Sequence, residues 1–528
     1  MSVLSSEPRA IRATPATATG LSSPLVFWIV LALYLGAHVA LRLWETPNLG
    51  KNDVQEALAA QGWAWGYHPR NPPLHTWLLM ASYSVFGVGV LAHVVLKYVL
   101  LGTTYAFAYL CGRRLLPSNA LAVSAAVALS LLTPFAWTVH TALTHTLLLG
   151  AVALASLWAA IRLTAHRRWF DYALFGALIG LGFLAKYSYP LFLAPLIAAM
   201  LCEPVLRRAL SSPRIFPTLG AAVLVFLPHG LWMLSARFDF VAFLVEKQHA
   251  AAPHSYLADL GLGLASLTVG AVSFLAPLIL VVAIVLRGVL RSQWKHLSPW
   301  ARSLTLVPVF GLGLLVLDAL VLRATQFEER YFMCALIVAP LALFSRLDGR
   351  SPGISVSKLA AFGAGALAIA LIVFAGLTGK ALFYNQSCRR CWDEMAVPEL
   401  VHQMRTASGF QQGTIIADHY NLAGNMSLAF PDARVIAANY VVEEPRQDAG
   451  GQCLLVWNAR NAGDPVPPSL AEYLARRQLT LPAGAPSYFE APLLRSAHRM
   501  DRFGYWLLAN ADGNCDPRPP AGAVTTVF

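Results

Sequence analysis

The feature that most constrains this chain is a series of long apolar runs that carry almost no charge. The first run covers 24–44, and ten more of similar length follow within the first 378 residues. An α-helix needs about 20 apolar residues to cross the roughly 30 Å hydrocarbon core of a bilayer. Only 12% of the 528 residues are charged, about half the share that is usual in soluble proteins. The sequence therefore predicts a polytopic α-helical membrane protein.

The charged residues between the runs predict how the chain is oriented in the membrane. The total charge of +12 belongs to the apolar part, because residues 379–528 hold 13 Lys+Arg and 14 Asp+Glu. Connections rich in Arg and Lys alternate with connections that hold most of the acids, and basic connections stay in the cytoplasm. The first run follows Arg9 and Arg12 and is interpreted as an uncleaved signal-anchor. Residues 1–22 are predicted to be a flexible cytoplasmic tail.

This orientation determines how a shorter apolar run is interpreted. Residues 73–87 lie between Glu45, which is predicted to be outside, and Arg113, which is predicted to be inside. The chain must cross an odd number of times between them, so 73–87 is predicted to be a juxtamembrane or re-entrant helix in one large outer loop, 45–89. The total is then eleven crossings, at 24–44, 90–112, 119–137, 142–163, 169–187, 189–205, 215–235, 262–286, 303–322, 330–346 and 357–378. The competing interpretation is that residues 73–112 contain two full spans.

The composition changes near residue 379, and the remainder is predicted to be a small α/β domain outside the membrane. The segments 413–417, 434–438 and 453–457 are short, apolar and rich in β-branched residues, which is typical of buried strands. The segments near 420–429 and 468–477 are interpreted as helices. The 379–528 region is long enough to fold by itself.

The outer loop carries the candidate chemistry. Asp53 and Glu56 stand three residues apart, so on a helix their carboxylates share a face. Trp63, Trp65 and Tyr67 follow them, before the Pro72-Pro73 pair. An interfacial helix with an aromatic belt and a solvated acidic face is the structural alternative.

These motifs resemble the GT-C class of membrane glycosyltransferases, and in particular the protein O-mannosyltransferase superfamily, family 39 and its relatives. That group includes the bacterial aminoarabinose transferase of lipid A and the sugar transferases of rhizobial lipopolysaccharide. The family's proline pair is Pro72-Pro73-Leu74, its glycine-to-lysine element is Gly182-Phe183-Leu184-Ala185-Lys186, and its late element is Arg330-Tyr331. The resemblance covers roughly 24–346, so 23–378 is expected to be a GT-C-like catalytic domain. Many relatives have an Asp-Glu doublet where this chain has Asn52-Asp53.

The resemblance implies an inverting transferase that uses a polyprenyl-phosphate sugar at the periplasmic face of a bacterial inner membrane. Asp53 would be the general base on the acceptor hydroxyl, although Glu56 could hold that role instead. Lys186 and Arg330 would bind the departing phosphate. Further candidates for substrate binding are Tyr331, Arg70, Tyr67 and Trp65. The acceptor would be lipid A, lipopolysaccharide core, another envelope glycan or a protein.

Structural roles are the alternatives for the same side chains. Lys186 could extend to the interface with its ammonium in water, and Arg330 could pair with Glu328 or Glu329. Arg70 could satisfy a loop carbonyl. Lys97 lies within a run, where charge is expensive, and is interpreted mainly as a structural partner.

The sequence predicts no catalytic role for three further ionisable residues. His140 and His145 are interpreted as structural residues, and Asp318, which also lies within an apolar run, has no assigned role.

The sequence contains none of the common motifs that bind a metal or a nucleotide cofactor. The sequence contains no H-E-x-x-H, no Walker loop and no G-x-G-x-x-G after a strand. The resemblance implies no catalytic metal, although a divalent cation at Asp53 and Glu56 stays open. Among the cysteines of the outer domain, one possible pairing is Cys388–Cys391 with Cys453–Cys515, and a redox or zinc role for the C-R-R-C motif is the alternative.

Two other functions compete with envelope-glycan transfer. One is protein O-mannosyltransferase-type activity. The other is a transporter or flippase of lipid-linked sugars, which would call for internal repeats and charges at the bilayer midplane. A non-catalytic envelope-assembly protein is a third possibility, and for it Asp53→Asn would change nothing. No nucleic acid is expected as a partner.

Overall fold

The structure is a computed structural model, and the description below covers ten stretches of the chain. The predicted tail 1–22 and Cys515 lie outside them. The described residues are 23–68, 70–235, 255–287, 297–347, 354–388, 391–440, 451–459, 465–476, 485–496 and 498–508.

The described part of the chain before residue 388 is built from helices. Their bounds are α1 Pro24–Glu45, α2 Lys51–Ala59, α3 Leu74–Phe86, α4 Val90–Leu115, α5 Asn119–Leu131, α6 Pro134–Thr141, α7 His145–His166, α8 Trp169–Ala185, α9 Pro190–Cys202, α10 Pro204–Leu210, α11 Ile215–Ser235, α12 Tyr256–Val285, α13 Pro299–Val321, α14 Glu329–Leu336, α15 Ala339–Leu347 and α16 Val356–Ser387.

Eight helical segments of the described chain are long and apolar enough to span a membrane. Two bent pairs, α5 with α6 and α9 with α10, raise the number to as many as ten when each pair counts as one span. The bends are 74° and 119°, and a proline begins the second helix of each pair, where its ring and missing N–H interrupt the ladder of helical hydrogen bonds. α8 is apolar but has only 17 residues. The predicted fold class is confirmed, and the count of eleven crossings stays a prediction.

The predicted outer loop 45–89 contains two short helices. α3 has 13 residues, which at 1.5 Å per residue gives about 20 Å, too short for the roughly 30 Å hydrocarbon core. It ends at Gly87, whose φ of 77° closes the helix in a conformation that suits glycine. This length agrees with the interpretation of 73–87 as less than a full span.

The last helix of this part runs further than the sequence indicates. α16 continues to Ser387, so the predicted boundary between 378 and 379 falls inside a helix. Its apolar run ends near 378, but helical hydrogen bonding does not need apolar side chains and continues through Tyr384, Asn385 and Gln386. The α/β domain begins after this helix.

The C-terminal part is a mixed five-stranded sheet with helices, as the sequence predicts. Strand order is β2-β1-β3-β5-β4, with β1 parallel to β2 and β3, and β5 antiparallel to β3 and β4. All three predicted strands and both predicted helices are present. The elements are α17 Val397–Gln403, β1 Gly413–Ala417, α18 Tyr420–Ala429, β2 Arg434–Ala437, β3 Gln452–Ala459, α19 Pro468–Arg476, β4 Ser487–Pro492 and β5 Met500–Leu508.

A hydrophobic core joins this domain to the helix that carries the acids. One face of the sheet, with Ile415, Val456 and Phe503, packs with α18 and also with Leu58 of α2. A smaller cluster contains Val54 of α2 and the partly buried Tyr420 of α18. Helix α2 is thus buried against α18, although it belongs in sequence to the membrane part.

The cysteines follow the predicted pattern where the structure describes them. Cys388 and Cys391 form a disulfide, and Cys453 is disulfide-bonded. Cys111 and Cys334 are free and buried in the helical part. The Cys388–Cys391 disulfide speaks against a zinc site at the C-R-R-C motif, because zinc binds free thiolates, and the redox alternative stays a prediction.

A buried carboxyl after β1 predicts that the stability of the domain depends on pH. Burial raises the pKa of Asp418 to about 7, and the Oδ1 atom has no hydrogen-bond partner. The unfolded chain titrates near the ordinary value of 3.8, so the folded domain holds the extra proton between about pH 4 and pH 7. The stability from this proton is present below pH 4 and is lost as the pH rises through 7. We expect a lower Tm at pH 8 than at pH 5 for the purified full-length protein.

The Asp418→Asn variant provides the comparison. It should reduce the difference in Tm between pH 5 and pH 8, whereas Asp432→Asn, at an exposed turn, should leave the difference as it is in the wild type. An unchanged pH dependence in Asp418→Asn would refute the assignment.

Candidate active site

Helix α2 places both acids of the outer loop in one buried site. Asp53 lies in the first turn of the helix, where the partial positive charge of the helix N-terminus favours a carboxylate. Glu56 follows one turn later on the same face, as predicted. The two side chains are buried, with residue exposures of 9% and 6%. The interpretation of a solvated acidic face is therefore wrong.

Asp53 is paired with a lysine that reaches it from α4. Lys97 Nζ donates to Asp53 Oδ2 at 2.9 Å, and both residues are buried. Burial alone would raise the pKa of Asp53, but Lys97, with smaller contributions from His93 and Arg42, holds that pKa below its usual range. Asp53 is consequently ionised at neutral pH. Lys97 is thus an ion-pair partner, but its partner is the candidate base on α2 and not a residue of the spanning helices.

Glu56 accepts hydrogen bonds from three side chains. His75 Nδ1 and Thr76 Oγ1 of α3 lie 3.0 and 2.9 Å from Oε2, and His145 Nε2 of α7 lies 2.6 Å from Oε1. Burial would raise the pKa of Glu56, but the two histidines hold it well below its usual range. Glu56 is therefore a fixed, ionised carboxylate whose oxygens are both occupied, which makes it a poorer general base than Asp53.

Lys186 lies beside this group, at the end of α8. Its Nζ donates to Thr146 Oγ1 at 2.5 Å, and Thr146 is the residue after His145. The turn that follows Lys186 contacts α14, because Cys334 Sγ lies 3.3 Å from the carbonyl oxygen of Ser188. The structure thus brings Lys186 next to the histidine that holds Glu56.

Arg330 is paired within its own segment. Its Nη2 donates to Glu328 Oε1 at 2.5 Å, and its guanidinium lies 5.4 Å from the ring centroid of Tyr331. This is the pairing that the structural alternative describes. Tyr331 itself is buried, and no described contact joins Arg330 directly to Asp53 or Glu56.

The aromatic residues of the loop form a cluster at its surface. Trp65 is 45% exposed and packs edge-on against Trp63 and Trp77. Tyr67 is buried, and its hydroxyl accepts from the backbone N–H of Ala64. Trp65 is therefore available to a ligand, whereas the hydroxyl of Tyr67 is already engaged within the loop. Arg70 is also exposed.

Sequence reasoning missed the histidines of the site. The sequence favours a structural role for His145 and assigns no role to His75, which lies within the Pro72–Trp77 motif. Both residues stand at the first turn of their helices, directly after irregular segments. A histidine in the first turn of an apolar helix, in a chain with an acidic outer loop, is the signal that could have found them.

The α/β domain fixes both ends of α2 through paired hydrogen bonds. Before the helix, the Leu49 N–H donates to Asn425 Oδ1 at 2.7 Å, and Asn425 Nδ2 donates to the Leu49 carbonyl at 3.0 Å. After the helix, the Gln61 amide exchanges the same two kinds of bond with Val435 at 2.9 and 2.7 Å. Val435 belongs to edge strand β2, so Gln61 continues the ladder of the sheet. The domain therefore positions the helix that carries Asp53.

Close packing between α18 and α2 predicts a large effect from one glycine. A Cβ at Gly424 would stand 2.4 Å from the carbonyl oxygen of Val54 and 2.6 Å from its Cβ, so backbone would have to move. Overpacking typically costs about 1–3 kcal/mol. We expect Gly424→Val to lower the Tm and to move α2, and limited proteolysis between the two parts would detect the loosened contact.

The control for this prediction is Gly379→Ala in α16. Nothing lies within 4 Å of a Cβ at Gly379, so this variant should keep the wild-type Tm and cleavage pattern. Equal behaviour of the two variants would show that the contact between α18 and α2 does not hold the helix.

Comparison with known proteins places these features in a family context. Residues 70–232 match the family described as dolichyl-phosphate-mannose-protein mannosyltransferase. The chain is 29% identical to the lipopolysaccharide core galacturonosyltransferase RgtB of Rhizobium johnstonii over 493 aligned residues. This alignment covers 91% of this chain and 97% of RgtB. It is 25% identical over 456 aligned residues to RgtA, a second lipopolysaccharide core galacturonosyltransferase of the same organism. That alignment covers 83% of this chain and 88% of RgtA.

The fold is similar to a solved membrane protein of low sequence identity. ArnT from Cupriavidus metallidurans, solved with bound undecaprenyl phosphate, aligns with a TM-score of 0.58 at 11% identity over 91% of this chain and 97% of that one. Its apo structure aligns with a TM-score of 0.56 at 11% identity over 91% and 98%. Together with the sequence relatives, these likenesses confirm the resemblance to GT-C membrane glycosyltransferases that the motifs predict.

Proposed function

We propose that this chain, a relative of the GT-C membrane glycosyltransferases, moves a sugar from a polyprenyl-phosphate donor to an envelope glycan acceptor. The observation that carries the proposal is the ionised carboxylate of Asp53, which is buried beside Lys97 in a loop between two spanning helices. A general base must be ionised and lie where a lipid-linked sugar and an acceptor can meet. The acceptor class is taken from the relatives named lipopolysaccharide core galacturonosyltransferases.

The chemistry follows from the charges around Asp53. Lys97 bonds to Oδ2, and Oδ1 is the oxygen that would accept the proton of the acceptor hydroxyl. The acceptor oxygen would then bond to the anomeric carbon while the bond to the phosphate oxygen breaks, and the phosphate keeps the electron pair. Lys186, which bonds to the residue after His145, is the candidate to stabilise that charge. Attack from the side opposite to the phosphate inverts the anomeric centre.

Arg330 and Trp65 are assigned to substrate binding in this proposal. Arg330 would exchange its exposed partner Glu328 for the donor phosphate, since an exposed ion pair is weak and easily replaced. Trp65 would stack against a sugar ring with its exposed face. Arg70, Tyr331 and Tyr67 would then complete the walls of the site.

The membrane orientation is part of the same proposal. The Cys388–Cys391 disulfide supports an oxidising compartment for the α/β domain, and the basic connections support a cytoplasmic N-terminus. The site would then face the periplasm of a bacterial inner membrane. Cysteine-accessibility labelling on the two sides of the membrane tests this placement independently of activity.

The experiment is mass spectrometry of envelope glycans from a deletion strain and its complemented forms. We expect the deletion to remove one sugar residue from lipopolysaccharide core or lipid A, and only the wild-type chain to restore it. The mass difference identifies the sugar, and galacturonate is the first candidate because of the names of the relatives. Purified protein with a synthetic undecaprenyl-phosphate sugar then tests the donor directly.

Other outcomes of this experiment would favour the competing functions. Unchanged glycans with loss of a sugar from periplasmic proteins would favour protein O-glycosylation. Unchanged glycans together with accumulated lipid-linked sugar in the inner leaflet would favour a flippase. Restoration of the glycan by Asp53→Asn would refute the role of Asp53.

A further inference from the structure

Glu56, His75 and His145 form a compact cluster of three buried ligand-type side chains. Each offers one nitrogen or carboxylate oxygen, and these atoms lie within 4.8 Å of one another. The two imidazole rings stand 5.0 Å apart between centroids, with one ring on each oxygen of the carboxylate. All three residues are at most 6% exposed.

We propose that Glu56, His75 and His145 bind a divalent transition-metal ion, with Zn²⁺ as the best match. Two imidazoles and one carboxylate, with a fourth position open, are a common ligand set for zinc. Imidazole disfavours Mg²⁺ and Ca²⁺, which prefer oxygen ligands. The three ligands come from α2, α3 and α7, so the ion would link helices that are far apart in sequence.

The distances in the cluster allow an ion after a small opening. Zinc bonds to nitrogen and oxygen are about 2.0–2.2 Å long, which places two ligands of a tetrahedral site about 3.3 Å apart. The separations from Glu56 are 2.6 Å to His145 and 3.0 Å to His75, so each must increase by less than about 1 Å. The two imidazole nitrogens, which lie within 4.8 Å of each other, would move to the same spacing by side-chain rotation. The hydroxyl of Thr76 bonds to Glu56 Oε2, and such an outer hydrogen bond holds a ligating carboxylate in position.

A bound ion would restrain the position of Asp53 through helix α2. Asp53 stands one turn before Glu56 on α2, so a metal bond to Glu56 would fix the position of Asp53 relative to α3 and α7. The ion also adds positive charge next to Lys186, in a region that is proposed to receive a phosphate. Metal binding can be measured whether or not the chain transfers a sugar.

Metal content of the purified full-length protein tests the proposal. Wild-type protein in detergent, dialysed against Zn²⁺ and then against metal-free buffer, should retain about one Zn²⁺ per chain by elemental mass spectrometry. Glu56→Gln and His145→Asn should each lose at least about nine-tenths of that zinc, because each removes one of only three protein ligands. His38→Asn is the control, since His38 is another buried histidine, stacked on His140, and that variant should keep the zinc.

A second measurement uses the wild type alone, in case a variant fails to fold. Chelator-treated protein should gain Tm on addition of Zn²⁺, and Mg²⁺ at the same concentration should give no gain, because binding to the folded state alone stabilises it. Zinc content equal in the wild type and in both ligand variants would overturn the proposal. So would wild-type protein that retains no zinc and shows no shift in Tm.

Discussion

Asp53→Asn is expected to reduce sugar transfer by roughly 10²- to 10⁴-fold, the range that a positioned general base contributes. The amide is almost isosteric with the carboxylate but cannot take the proton of an acceptor hydroxyl. The variant also leaves the buried ammonium of Lys97 without its charged partner, which in buried pairs costs about 3–5 kcal/mol. Activity should therefore be measured per folded molecule, with the purified protein, a lipid-linked donor and the isolated acceptor.

Two further variants separate catalysis from folding. The double variant Asp53→Asn with Lys97→Met removes both charges and should recover much of the lost Tm without recovering activity. Glu203→Gln breaks a second, partly buried ion pair, in which Arg302 bonds to both oxygens of Glu203 at 2.7 and 2.6 Å. It should lower the Tm and preserve transfer per folded molecule. If Asp53→Asn retained wild-type turnover, the base would lie elsewhere, and Glu56 would be the next residue to test.

Lys97→Met is expected to shift the pH dependence of transfer to higher pH. Burial raises the pKa of Asp53, and the charge of Lys97 is the largest effect that lowers it. Without Lys97 the pKa of Asp53 rises, so a smaller fraction of the carboxyl is ionised at neutral pH. The acid limb of kcat/KM should move to higher pH, with about a tenfold loss at any given pH for each unit by which the raised pKa exceeds that pH, and recovery as the pH rises.

Lys380→Met is the matched control for this effect. Lys380 forms an ion pair with Glu45 at 2.9 Å, but neither residue contacts Asp53 in the described contacts. Its acid limb should coincide with that of the wild type. An equal loss at all pH values in Lys97→Met would mean that Lys97 acts in some other way than by setting the ionisation of Asp53.

The parts of the molecule that the sequence predicts well are those with a local cause. The strands at 413–417 and 453–457 are visible because buried strands in the middle of a sheet are short and apolar. The shared face of Asp53 and Glu56 follows from helical geometry over three residues. The short helix within 73–87 follows from its length and from the charges on either side.

The contacts that define the site have no local cause, and the sequence could not supply them. Lys97 is 44 residues from Asp53, and His145 is 89 residues from Glu56. Helix packing brings these pairs together, and periodicity within one helix carries no information about the neighbouring helix. The alternative of a solvated acidic face failed for the same reason, because α18 and the sheet that cover α2 lie more than 350 residues later in the chain.

The hydrogen bonds by which the α/β domain positions α2 have a consequence for biosynthesis. Leu49 and Gln61 meet their partners 376 and 374 residues downstream, so the ribosome has completed all the described membrane helices before those partners emerge. Until then, Leu49 and Gln61, at the two ends of α2, lack their hydrogen-bond partners in the α/β domain. We therefore expect α2 to be incompletely positioned in an unfinished chain. The proposed role of Asp53 would then begin only when the α/β domain has folded against α2.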